Sequence, residues 1–145
     1  MAVVRSAPLV SIDFVARNNA GDVLLGKRTN KPAKGYWFVP GGRILKGERL
    51  SEAFKRLSVA EFGNVIKLED AKPLGVFEHL YDDSSFDDSV GTHYVVIAYE
   101  VFIDPDLSQL PDSQHADYRW FCVDELLSSE NVHDNTKAYF DQDDV

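Results

Sequence analysis

Five residues with chemistry or backbone geometry to offer fall at fixed intervals in the middle of this chain. Gly42 is followed after five intervening residues by Glu48, after seven more by Arg56, and then by Glu61 and Gly63. A carboxylate on a helix can hold a hard cation, and a glycine pair such as Gly41-Gly42 lets backbone approach closely and turn a carbonyl toward that cation. Further along, Asp112, Gln114 and His115 are clustered between two apolar stretches. Histidine, with an ordinary pKa near ~6.5, suits general-base work at neutral pH. Cations stand at Arg28 and Arg43, and arginine's fixed donor fork and permanent charge fit a phosphate oxygen.

Elements must position these groups. From Leu50 the apolar residues Leu50, Ala53, Phe54, Leu57 and Ala60 fall on one stripe, which predicts a helix ending at Gly63, where a left-handed residue fits. On that reading Glu48, Glu52, Arg56 and Glu61 lie off the stripe or at its edge. Leu9 to Ala16 and Asp22 to Arg28 read as strands about the turn Asn18-Asn19-Ala20-Gly21. Leu74 to Tyr81, His93 to Phe102 and Tyr118 to Val123 read as further strands, with Asp104 to Ala116 as a loop. Asp124 is expected to cap a short helix through Leu127, and Asn131 to Phe140 to form a closing helix. Asp82 to Gly91 is polar, with several aspartates, and reads as a mobile loop near a site.

Each candidate also has a structural reading. Asp13 interrupts the first strand, either as an edge carboxylate or as one aimed into a site. Lys27 and Arg28 are a solvated strand end or a phosphate contact. His79, inside a strand, is more often structural than catalytic. His115 in its loop is exposed surface in most proteins.

The composition bounds the function. The 145 residues make one domain, 1–145, long enough for a core, and 44% hydrophobic content is that of a globular protein. A net charge of −9 argues against non-specific binding to nucleic acid or to an anionic membrane, so an anionic substrate needs a local cationic pocket or a metal. Cys122 is the only cysteine, no apolar run approaches a membrane span, and Asp13 breaks the only N-terminal apolar stretch. A cytoplasmic location is the expectation. The acidic end, Asp141 to Val145, is expected to fray.

The spacing of Gly42, Glu48, Arg56, Glu61 and Gly63 resembles the Nudix box, G-x5-E-x7-R-E-U-x-E-E-x-G-U with U aliphatic, across residues 42–63. The content departs from it. Leu57 stands where the first glutamate after arginine belongs, and Ala60 where the first of the paired glutamates belongs. Ser58 and Asn64 occupy aliphatic positions, so Glu61 alone survives of the last three carboxylates. The GDP-mannose mannosyl hydrolases, a Nudix subgroup that attacks sugar carbon rather than phosphorus, have a similarly damaged box. Further segments resemble that subgroup: G-K-R-T-N at Gly26 to Asn30, W-F-V-P-G-G-R at Trp37 to Arg43, T-H-Y-V-V at Thr92 to Val96, Q-H-x-D-Y-R-W at Gln114 to Trp120, and N-V-H-D-N-T-K-A-Y-F at Asn131 to Phe140.

The resemblance implies a Nudix α/β/α sandwich with a mixed β-sheet between helices. It implies hydrolysis of GDP-mannose, with GDP-glucose as a second candidate, to GDP and free hexose. It assigns one Mg²⁺, with Mn²⁺ as a substitute, to the Gly41 carbonyl, Glu61 and Gln114. Arg28, Arg43 and Tyr94 would face the diphosphate, His115 would be the base, and Asp13 would orient substrate or base. Glu48 and Arg56 would brace the box, Arg56 would also help orient Glu61, and His79 would support the site. The partner is a small nucleotide sugar, and a homodimer is the usual assembly. The rival readings are a Nudix pyrophosphohydrolase that recruits Glu48 and Glu52 as metal ligands and cuts at phosphorus, and a non-catalytic nucleotide-binding module.

Overall fold

The computed structural model describes residues 7–29, 35–81, 92–103, 110 and 115–140. Among the described residues seven strands form one mixed sheet: β1 (Leu9–Arg17), β2 (Val23–Arg28), β3 (Trp37–Phe38), β4 (Gly41–Arg43), β5 (Lys72–Tyr81), β6 (Thr92–Phe102) and β7 (His115–Phe121). The main path runs β3-β2-β1-β6-β5, with β4 paired to β1 and β7 to β2. β1 lies at the centre. It runs parallel to β6 from Leu9↔Tyr94 to Arg17↔Phe102, while β4 lies antiparallel to it.

Alternation along β1 explains the layers. Ile12, Phe14 and Ala16 point to one face and meet α1 (Leu50–Phe62) through Ala53, Phe54, Leu57 and Phe62. Val15 points to the other face, where Leu126, Val132, Tyr139 and Phe140 of the chain's end cover it. The helices there are short: α2 (Val123–Ser128) and α3 (Asp134–Lys137). Phe54 is fully buried, edge-on to Phe14 at 5.0 Å and to Tyr99 at 5.2 Å. Truncating such a ring to alanine costs about 3–5 kcal/mol, a large share of a domain's total of roughly 5–15 kcal/mol.

The buried stripe of α1 is rotated from the one read in the sequence. Ser58, Glu61 and Phe62 are buried and Ala60 is exposed. Ser58 earns its place by accepting from the N–H of Ile66 at 3.0 Å, and Glu61 by accepting from Gly41. The helix ends at Gly63 with φ of 80°, whose N–H donates to the Val59 carbonyl.

Gly41–Arg43 forms a short strand by pairing with Ser11, Ile12 and Asp13. Three other expectations are corrected. His115 and Ala116 belong to β7 rather than to the preceding loop, because pairing with β2 continues to Arg28↔His115 beyond a bulge at Gly26/Arg28. Cys122, not Asp124, precedes α2, and Asp124 lies in its first turn, where a negative charge suits the helix dipole. The closing helix shrinks to Asp134–Lys137, because Trp37 donates to the Asn131 carbonyl and accepts from the His133 N–H, drawing 131–133 into an extended bridge. Among the described residues no helix is long and apolar enough to cross a membrane.

Candidate active site

The site is built where β4 pairs with β1. Gly41 has no room for a side chain: a Cβ there would sit 2.3 Å from the Ile12 carbonyl oxygen and 2.4 Å from Asp13 Oδ1. At Gly42 a Cβ would meet Leu57 Cδ2 at 2.5 Å. The glycine pair is therefore required by close approach, to β1 on one side and to α1 on the other. The Gly41 N–H donates to Glu61 Oε1 at 2.9 Å. Glu61 Oε2 is buried without a hydrogen-bond partner among the described residues. A buried carboxylate oxygen left in this state is costly unless something positive meets it.

Electrostatics shows which groups share the site. Burial raises the Glu61 pKa to about 7; Gly41's N–H opposes the rise, Asp13 adds to it and Arg28 opposes it. Burial likewise raises Asp13 to about 7, against a hydrogen bond from Tyr139 and the charge of Arg28. Burial raises Tyr94, against Arg43 and Arg28 and with Asp13. Arg28 thus acts on Asp13, Glu61 and Tyr94, and Arg43 on Tyr94, while two carboxylates with raised pKa values converge on Gly41. The Arg28 guanidinium also lies over the Phe38 ring, 5.8 Å from its centroid.

Glu48 and Arg56 tie the loop to the helix. Arg56 Nε donates to Glu48 Oε2 at 2.8 Å, and Arg56 Nη2 donates to the Arg43 carbonyl at 2.8 Å. Glu48 Oε1 also accepts from the Leu45 N–H at 3.0 Å. Glu61 takes no bond from Arg56; the donor that orients it is Gly41. Glu52 accepts from the Arg49 N–H at 2.8 Å and so closes the start of α1.

Register places residue 115 opposite Arg28, at the site end of β2 and β7. Gln114 and Asp112, and the segment 82–91, lie outside the described residues, as does the acidic end 141–145. His79 is opposite Tyr94 on the β5–β6 ladder and is buried.

Sequence reasoning missed Tyr139. Its hydroxyl donates to Asp13 Oδ2 at 2.5 Å and lies 3.2 Å from His79 Nε2. Only its place in the stretch N-V-H-D-N-T-K-A-Y-F could have signalled it.

Burial lowers the His79 pKa to about 4, helped by His133. The histidine is neutral when folded and can charge only on unfolding between its ordinary value and about 4. Its contribution to stability is therefore complete above pH ~6.5 and is lost as pH falls through that window. Between pH 7 and pH 5.5 the native protein should lose about 1 kcal/mol more than a His79→Gln variant does. Urea unfolding at the two pH values checks this; equal losses would mean that His79 is already charged in the fold.

A helix-borne carboxylate seated on a glycine of a mixed sheet, with the loop between them braced by an arginine, defines a hydrolase architecture of the Nudix type. The chain belongs to that family: residues 7–142 match the model of the NUDIX domain. The low-salt glycan biosynthesis protein Agl8 of Haloferax volcanii is 40% identical over 140 residues, covering 97% of this chain and 85% of Agl8. A MutT NUDIX hydrolase from Burkholderia pseudomallei superposes with a TM-score of 0.73 at 27% identity, over 95% of this chain and 99% of that one. The NUDIX domain of Shewanella oneidensis NrtR, solved with ADP ribose, superposes with a TM-score of 0.67 at 21% identity, over 93% and 86% of the two chains.

Proposed function

We propose that the protein hydrolyses GDP-mannose, with GDP-glucose as a second substrate, at the anomeric carbon. Water adds across the bond between that carbon and the diphosphate oxygen, giving GDP and free hexose. The observation that carries this reading is the pairing of Glu61, the one left of the box's last three carboxylates, with Gly41, while its second oxygen has no partner among the described residues.

The donors present suit a single hard cation. A hard cation takes carbonyl and amide oxygens as readily as carboxylates, so one carboxylate is enough when such oxygens stand beside it. Glu61, the Gly41 carbonyl and Gln114 would hold Mg²⁺, with Mn²⁺ as a substitute. When bound, it would supply positive charge to the departing diphosphate.

The chain's own residues do the rest. Arg28, Arg43 and Tyr94 donate to phosphate oxygens and stabilise charge that develops on GDP. His115 takes the proton of the attacking water. Asp13 orients substrate or base. Glu48 and Arg56 keep the loop in shape. The related glycan biosynthesis protein supports a role in sugar chemistry.

The pyrophosphohydrolase reading asks Glu48 and Glu52 to become metal ligands. Both are already engaged, Glu48 with Arg56 and the Leu45 N–H, and Glu52 with the Arg49 N–H. Incubation of GDP-mannose with Mg²⁺ separates the readings. GDP and mannose are expected; GMP with mannose 1-phosphate would establish the rival, and no turnover would leave a binding module. The assembly is proposed to be a homodimer in the cytoplasm, which light scattering and fractionation would test.

A further inference from the structure

The contact between Tyr139, Asp13 and His79 joins three parts of the chain that are far apart in sequence. Asp13 is on the central strand β1, His79 is on β5 beyond β6, and Tyr139 follows α3 at the end of the described chain. The Tyr139 ring is held independently of its hydroxyl. It lies edge-on to Phe77 at 4.7 Å and belongs to the core cluster of Val15, Leu126 and Phe140.

The hydroxyl has one proton to give. The hydroxyl donates to Asp13 Oδ2 at 2.5 Å, and whenever Asp13 is ionised its carboxylate can only accept. Toward His79 Nε2, at 3.2 Å, the same oxygen must then accept. Nε2 therefore carries the hydrogen, which makes Nδ1 the acceptor of a neutral ring. Burial keeps the ring neutral, with a pKa of about 4. The other Asp13 oxygen, Oδ1, is the one packed over Gly41. The carboxylate thus has one oxygen held from the end of the chain and the other facing the β4 glycine.

We propose that Tyr139 is a positioning residue for the hydrolysis assigned above: its hydroxyl aims Asp13 and selects the Nε2–H form of His79, so that the C-terminal segment sets the geometry of the site. The inference rests on that assignment for its catalytic part. The hydrogen-bond array itself does not depend on which substrate is cleaved.

Two measurements on the full-length protein test it. In ¹⁵N-histidine-labelled wild type at pH 7.5, long-range proton–nitrogen correlations should show His79, identified by loss of its signals in His79→Gln, as the Nε2–H tautomer. Tyr139→Phe keeps the ring and removes both bonds. It should give a mixture of tautomers and lower kcat on GDP-mannose by about 10- to 100-fold, the scale expected when a positioning group is released. KM should change less than kcat. Should Tyr139→Phe fail to fold, the His79 pair decides: glutamine presents an amide N–H close to the place of Nε2–H and should retain more kcat than leucine. An Nδ1–H tautomer in the wild type overturns the array. Unchanged kcat in Tyr139→Phe, or equal kcat in the two His79 variants, overturns the positioning role. A wild type that releases no GDP defeats the assigned reaction instead, and the tautomer measurement still decides the array.

Discussion

Replacing His115 with glutamine lowers kcat by about 10²–10⁴-fold, the usual worth of a positioned general base. The expectation starts from what the box lacks. Leu57 and Ala60 cannot bind a cation, so a cluster of metals that activates water at phosphorus cannot be assembled from the usual carboxylates. Water attack then needs a base, and the residue opposite Arg28 in the β2–β7 ladder is a histidine. A base must be unprotonated to act, so activity should fall on the acid side. The fold should be unaffected, which circular dichroism would show. Near-native kcat in His115→Gln would place the base elsewhere, and His79, buried and held by Tyr139, would be the next to test.

Glu61→Gln produces the second large effect, a loss of kcat of roughly 10²-fold or more, the scale on which removal of charge stabilisation is felt. Glutamine keeps an oxygen for the Gly41 N–H but loses the charge. Burial makes that charge costly in the metal-free fold, as its pKa of about 7 shows. The variant should therefore melt at the same temperature as the wild type or higher when no metal is added. Its stabilisation by Mg²⁺ should disappear, because binding only to the native state is what raises Tm. Isothermal titration of the wild type with a non-hydrolysable substrate analogue should find one strong Mg²⁺ site per subunit. Two or more such sites would contradict the single-carboxylate centre.

The parts of the fold legible in the sequence are those in which one local signal decided the outcome. The helix Leu50–Phe62 followed from its apolar spacing and Gly63, β1 and β6 from apolar, β-branched runs, and β2 and β5 from shorter apolar runs. The failures were tertiary. Asn131 to His133 carry helix-compatible residues, yet Trp37 captures them in a bridge. His115 and Ala116 carry no strand signal of their own and are drawn into β7 by pairing with β2. The buried face of α1 could not be phased correctly, because Ser58 and Glu61 are polar residues buried by specific donors and acceptors. At the site, box spacing and resemblance supplied the names Asp13, Arg28, Arg43, Glu61 and Tyr94. The structure adds their mutual influence and the clasp of Gly41 by Glu61. Tyr139 could not be found from spacing, since 126 positions separate it from Asp13.

The central claim is that the bond to the sugar carbon breaks, by a single displacement. On the proposed reading, one metal on the diphosphate, with Arg28, Arg43 and Tyr94, would make GDP a good leaving group. Positive charge then develops at the anomeric carbon, and water enters from the opposite face, as in glycosidases that use a base and a water. A double displacement would need a carboxylate at that carbon, for which Asp13 is the candidate. Turnover of GDP-mannose in ¹⁸O-water, with NMR of the sugar as it forms and mass spectrometry of both products, examines this directly. The account predicts ¹⁸O in mannose, none in GDP, and β-mannose appearing first from the α-linked substrate. Label in a phosphate product would show attack at phosphorus and contradict the account; α-mannose appearing first would contradict the single displacement and make Asp13 the nucleophile to trap.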